Sequence, residues 1–156
     1  MTVMFEQPSL ISAAPIPRFR FITISNGSNA NTTAIDADFE AAVANTGEPI
    51  IGITTGASQD APQDSANSFA AKEAGVSFEW ISPGAIGLLH IDKSAGVTRG
   101  DRLMANTNAV TNLSGQAGSG VTATSGQWVG ALALENAAAG EIARVLVLSP
   151  FYYEEG

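Results

Sequence analysis

The second half of this chain is written in short apolar runs that break at glycine and small polar turns, and that rhythm leaves few folds open to it. Gly96-Val97-Thr98-Arg99-Gly100-Asp101-Arg102-Leu103-Met104-Ala105-Asn106 leads into a stretch marked by Gly115, Gly118 and Gly120. Then come Trp128-Val129-Gly130-Ala131-Leu132-Ala133-Leu134, the turn Glu135-Asn136-Ala137-Ala138-Ala139-Gly140, and Glu141-Ile142-Ala143-Arg144-Val145-Leu146-Val147-Leu148. Runs of this length between turn residues read as strands. Several of them at close spacing predict an all-β barrel or sandwich. Residues 75–80, 87–91 and 121–124 add further strands, with turns at Ser82-Pro83-Gly84 and Ala95-Gly96.

The first half is less uniform. Arg18-Phe19-Arg20-Phe21-Ile22-Thr23-Ile24-Ser25 reads as a strand ended by Asn26-Gly27. Phe19 and Phe21 point one way and Ile22 and Ile24 the other, so both faces expect cover. Pro49-Ile50-Ile51-Gly52-Ile53-Thr54 is a second short strand. Ile35, Phe39 and Val43 are spaced four apart, which predicts a short helix over residues 35–43 with Gly47 as its stop. Residues 56–68 form a polar loop. Residues 1–17 hold Pro8, Pro15 and Pro17, each of which disfavours helix before it. They read as an extended N-terminal arm anchored by Phe5, Leu10, Ile11 and Ile16. The expected organisation is an arm (1–17), one β-rich domain (18–150) and a tail (151–156).

At 156 residues the chain can bury one real core. Only 14% of residues are charged, against about 25% in an average soluble domain, which points to a surface partly covered by other protein. Net charge is −8, and residues 36–79 hold eight acids against Lys72 alone. A duplex binder needs a basic stripe, and none is present, so nucleic acid is excluded as a partner. Anionic membrane surfaces are disfavoured for the same reason. No apolar run reaches the length of a membrane span. The first twenty residues lack the basic start and apolar core of a secretory signal. With no cysteine, disulfides and thiolate metal sites are ruled out.

Reactive groups are sparse. His90 is the only histidine, and on a strand Asp92 is its one local partner on the same face. A lone strand histidine is ordinarily a satisfied side chain. Ser114 and Ser125 each precede a glycine but lack the flanking pattern of a nucleophile elbow. Gly115, Gly118 and Gly120 open no helix and have no Gly-Lys-Ser/Thr ending, so they do not cradle phosphate. Asp36-Ala37-Asp38-Phe39-Glu40 alternates oxygens as calcium loops do, but it lacks the glycine turn and the downstream bidentate acid. It fits better as acids at a helix N-terminus. No catalytic, cofactor-binding or metal residues are expected, and the chain reads as no enzyme.

Taken in order, Val97-Thr98-Arg99-Gly100-Asp101-Arg102-Leu103-Met104, the glycine-rich loop, and Val129-Gly130-Ala131-Leu132-Ala133-Leu134-Glu135 through Gly140-Glu141-Ile142 to Leu148 resemble the capsid decoration, or cement, proteins of tailed bacteriophages. Pro49-Ile50-Ile51-Gly52-Ile53-Thr54, residues 76–79 and residues 85–91 are similar to earlier strands of that family. The resemblance covers residues 48–148. It implies a mainly β fold, a small β-barrel or β-tulip-like body with at most one or two short helices, commonly trimeric. It also implies a place on the outer surface of the virion, bridging major capsid protein subunits, after synthesis in the host cytoplasm. It carries no catalytic residues and no cofactor. The expected contacts are Phe5, Leu10, Ile11 and Ile16 for the capsid, and Phe19, Phe21, Trp80, Trp128, Phe151 and Tyr152 for an oligomer or capsid interface. A second reading is a non-catalytic binding module for carbohydrate or host ligand, with Trp80, Trp128, Tyr152 and Tyr153 as stacking faces.

Overall fold

A computed structural model describes residues 10–12, 16–24, 40–55, 77–106 and 118–155. The first half of the chain supplies β1 (Leu10–Ser12), β2 (Phe21–Ile24), β3 (Glu40–Val43), β4 (Gly52–Thr54), β5 (Ser77–Phe78) and β6 (Trp80–Ile81). They form one sheet in the order β5-β1-β3-β2-β4-β6. The second half supplies β7 (Ile86–His90), β8 (Arg102–Ala105), β9 (Gly120–Thr122), β10 (Gln127–Ala133) and β11 (Ile142–Tyr153), in the order β7-β11-β10-β8-β9. All pairs are antiparallel except β1 with β3. The protein is mainly β, and no helix occurs among the described residues.

The mainly β fold takes the form of two sheets and not a closed barrel, and the burial pattern gives the reason. Phe21 and Ile22 are adjacent on β2 and both fully buried, on opposite faces. Phe21, with Ile50 and Ile53, packs into the main core against Leu89, Leu103, Val145 and Val147 of the second sheet. Ile22 instead joins Leu10, Ile16 and Ala41 in a smaller core capped by Val43, Ile51 and Trp80. A first sheet with two apolar faces needs cover on both, which one barrel interior cannot supply. Each fully buried side chain of this size stabilises the fold by roughly 1.5–3 kcal/mol.

Both sheets curl. β5 and β6 flank the first sheet yet are separated only by Glu79, so residues 77–81 bond to β1 at one end and β4 at the other. In the second sheet a parallel bridge between Ile91 and Gly120 draws the β7 and β9 edges together.

The helix expected over residues 35–43 is corrected where it is described: Glu40–Val43 is strand β3, bonded to β1 and β2. Residues 35–39 lie outside the described residues. A spacing of four is a multiple of two, so Ile35, Phe39 and Val43 share a face in a strand as well as in a helix. Gly47, at φ 87°, sits in a turn in which the Asn45 amide donates to the Glu48 carboxylate.

Two segments belong to the sheets where the sequence reads them as appendages. Leu10–Ser12 is a strand, and Leu10 and Ile16 are buried. Phe151–Tyr153 completes β11 opposite Gln127–Val129. β11 gets past Pro150 by a bulge: residues 148–150 face Gly130 alone, so the proline's missing donor falls where the ladder is already broken.

Candidate adhesive surface

One cluster of titratable groups, Arg20, His90 and Asp92, is buried. His90 ends β7 at 1% exposure, with Arg20 and Asp92 also buried. Its amide donates to the Phe19 carbonyl (2.9 Å), stitching β7 to the segment that precedes β2. Burial pushes the imidazole down to about 4, and nearby Arg20 and Lys93 push the same way against Asp92. Burial likewise lowers the Arg20 guanidinium to about 10, opposed by Asp92. Asp92 pays for its own burial, yet its pKa falls below the usual value because donors surround it. The Ser94 amide (2.7 Å) and Ser119 Oγ (3.2 Å) both donate to it. The pairing of His90 with Asp92 foreseen from strand parity is therefore an electrostatic neighbourhood inside the seam. No group of three or more His, Cys, Asp or Glu among the described residues could hold a metal.

Part of the surface formed by the described residues is apolar. Among the described residues six large apolar side chains stand exposed, and five of them belong to the second sheet: Ile86, Leu88, Ile142, Phe151 and Tyr152, the sixth being Ile24. Strand alternation sets this pattern on β11, where Ala143, Val145 and Val147 point into the core and Ile142, Arg144 and Leu146 point out. Register places Ile86 opposite Leu146, and Leu88 opposite Arg144. Leu146 in turn sits opposite Leu132 of β10. Three strands thus share an outward apolar strip, crossed by one ion pair in which Arg144 Nη2 and Nε donate to Glu135 Oε2 at 2.9 and 3.1 Å.

At the far end of the same two strands lies an aromatic ledge. Trp128 is paired with Tyr152, their rings meeting edge to face at 5.7 Å, and Tyr152 is 50% exposed. Phe151, the residue before Tyr152, is also exposed, and strand alternation turns it to the other face. The Arg102 guanidinium lies 5.1 Å from the Tyr153 ring centre, a cation–π contact that fixes the end of β11 to β8.

A groove of about 300 Å³ runs along the seam, bordered by Phe19, Thr55, Ile81, Ile86, Leu88 and Arg144. Phe19 reaches it from a left-handed backbone (φ 56°), held by the Phe19 amide donating to the Thr54 carbonyl at 3.1 Å.

The expected contact residues divide accordingly. Trp128 and Tyr152 are brought together at the surface, and Phe151 is exposed at the neighbouring position, opposite Val129. Phe19 is half-buried at the groove. Phe21 is fully buried in the main core. Trp80 is half-buried over the small core, its ring close above Gly52. Leu10 and Ile16, foreseen as capsid contacts, are buried in the chain's own small core at 3% and 2% exposure. Ile11 is paired in β1, with Glu40 and Ser77 as register partners. Phe5 lies outside the described residues. The strip of Ile86, Leu88 and Ile142 was not foreseen. Its signal is legible: residues 86–89 are apolar on both parities apart from Gly87, which makes β7 two-faced.

No family model matches the sequence, and no curated protein matches it. Among solved structures the chain is similar to the head fiber gp8.5 N base of bacteriophage phi29, at 14% identity over 93% of this chain and 96% of that one, with a TM-score of 0.49. At that TM-score the likeness bears on neither the fold nor the role of this chain.

Proposed function

We propose that this chain is a non-catalytic structural protein of a phage virion, one that binds the outer surface of the mature capsid and stabilises it by bridging neighbouring major capsid protein subunits. The observation that carries the reading is the distribution of side chains: the titratable cluster is sealed in the seam, while the apolar strip and aromatic ledge of the second sheet face solvent. Such a surface supports adhesion and offers no chemistry. The ordered sequence block of residues 97–148 that resembles capsid cement proteins supports the same role.

The mechanism is mass action. A protein that binds the expanded lattice and not the dissociated shell shifts the equilibrium toward the intact particle. Assembly as a homotrimer would multiply weak contacts through effective concentration. In this reading Trp128 and Tyr152 are anchors, since large aromatics carry disproportionate interface energy.

The experiment is light scattering of the purified protein, followed by decoration of shells by Trp128→Ala and Tyr152→Ala variants. A mass of three copies and weakened decoration by correctly folded variants support the proposal. Full decoration by both variants removes the ledge from it. The exposed ledge also favours one rival, carbohydrate stacking on Trp128 and Tyr152. Glycan-array binding by the wild type, lost in Tyr152→Ala, would favour that rival.

A further inference from the structure

Two surfaces of this molecule complement each other, and they sit at opposite ends of one strand. The seam groove is apolar along Phe19, Ile81, Ile86 and Leu88, and Arg144 is the one charged residue lining it among the described residues. Ile86, at 63% exposure, is the most exposed large apolar side chain among them. Thr55, also on the groove, buries its Oγ1 with no hydrogen-bond partner among the described residues. Arg144 holds one oxygen of Glu135 through Nε and Nη2, and its side chain remains 66% exposed. The guanidinium has five N–H donors, so Nη1 can take a second carboxylate. An occupant that fits would bring apolar area, a hydroxyl and a negative charge.

The C-terminal end of β11 carries that set. Tyr152 is 50% exposed, and Glu154 and Glu155 follow it, both exposed. A tyrosine supplies a flat apolar ring with a hydroxyl that donates and accepts, and the two carboxylates are acceptors. This end cannot serve its own groove. Arg144 is the third residue of β11 and Tyr152 the eleventh. At about 3.3 Å per residue they stand roughly 25 Å apart. The end is also tied down: residues 151–153 pair with 127–129, the Gly126 amide donates to the Tyr153 carbonyl at 2.7 Å, and the Glu155 amide donates to Ser125 Oγ at 3.0 Å. The groove it fits therefore belongs to another copy. Contact between two different patches is heterologous; it repeats from copy to copy and closes into a ring where the rotation allows.

We propose that the seam groove receives a second copy of this chain: the Tyr152–Glu155 end of one protomer lies in the groove of the next, its carboxylates at Arg144 and its aromatic ring against Ile86 and Leu88. Every protomer gives one end and receives one. Three such contacts close the homotrimer of the proposed function, and the assignment rests on that self-association.

Charge exchange tests it in the full-length protein, with light scattering and sedimentation velocity on Arg144→Glu, on Glu154→Arg/Glu155→Arg, and on all three changes combined. Circular dichroism should match the wild type in each, since the sites are exposed. The wild type should run as three copies. Each one-sided variant should associate roughly tenfold more weakly or worse, and the combined variant should recover. Arg144→Glu also deprives Glu135 of its partner, but so does the combined variant, so recovery isolates the contact between copies. One-sided variants that stay trimeric would overturn the groove contact and leave the trimer standing. If such trimers lost shell decoration, the groove would belong to the capsid protein instead, which also overturns the assignment. A wild type that is monomeric at every concentration would overturn both the contact and the self-association beneath it. The absence of cysteine allows a second arm, in which Leu88→Cys protein is mixed with Tyr152→Cys protein and joined by a short bismaleimide. Mixed dimers should exceed those of either protein alone; a product dominated by Leu88→Cys joined to itself would show groove facing groove and contradict the assignment.

Discussion

Acidifying the solution from pH 7.5 to pH 5 should destabilise this protein through one side chain. His90 is buried, and its pKa falls from an ordinary 6.5 to about 4 in the fold. Between those values the unfolded chain binds a proton that the native state refuses, so stability falls as pH falls. The full window of about 2.5 pH units corresponds to ~3 kcal/mol at 1.36 kcal/mol per unit. By pH 5 about 2 kcal/mol of it is gone, with a slope near 1.4 kcal/mol per pH unit. The chain has a single histidine, so no other imidazole titrates in this window. Asp92 acts lower: its pKa is depressed, so its contribution is present above the ordinary carboxylate range and is lost as pH falls through its folded value. Urea denaturation at half-unit steps of pH, on wild type and His90→Gln, separates the two. The wild-type midpoint should drop steadily below pH 6.5. His90→Gln should start lower and stay flat to about pH 4.5. A flat wild-type profile, or an undiminished slope in the variant, would refute the reasoning.

Three further outcomes follow from the geometry. Gly52→Ala should cost about 2–3 kcal/mol, the upper range for overpacking, because its Cβ would sit 2.4 Å from the Ile81 carbonyl oxygen and 2.5 Å from the Trp80 ring; tryptophan fluorescence during urea unfolding reads both the midpoint and the displaced indole. Phe19→Gly should be more stable than Phe19→Ala by roughly 1–2 kcal/mol, since the φ of 56° burdens alanine and not glycine; equal midpoints would show that the turn relaxes. Trp128→Ala and Tyr152→Ala should each weaken shell binding without shifting the denaturation midpoint of the core, measured side by side on the same preparations.

The second sheet was legible in the sequence because β10 and β11 are long enough to show their period. Residues 142–148 alternate core and solvent without a break, and the turns around Gly100 and Gly140 sit where a positive φ is needed. The first sheet was harder because its strands run two to four residues, too few to display a period. Glu40–Val43 was ambiguous in principle, since spacing of four serves helix and strand alike. Burial of Arg20 had no local signal: its partners lie at Thr54 and Asp92, far along the chain. The aromatic ledge was half visible. Trp128 and Tyr152 stood out as large side chains, but only the bulge at Gly130 and Pro150 carries β11 on to meet β10 there. The burial of Leu10 and Ile16 in the small core had no sequence signal of its own, because apolar anchors in a proline-rich segment look the same whether the partner is another protein or the chain's own sheet.

The account rests most heavily on adhesion to a mature shell, and cosedimentation tests it most directly. Purified protein is mixed with expanded and with unexpanded phage shells and spun through a cushion. The account predicts saturable binding to expanded shells, little to unexpanded ones, and a raised disassembly temperature for the decorated particle. Equal recovery with both shells, or with neither, would contradict it.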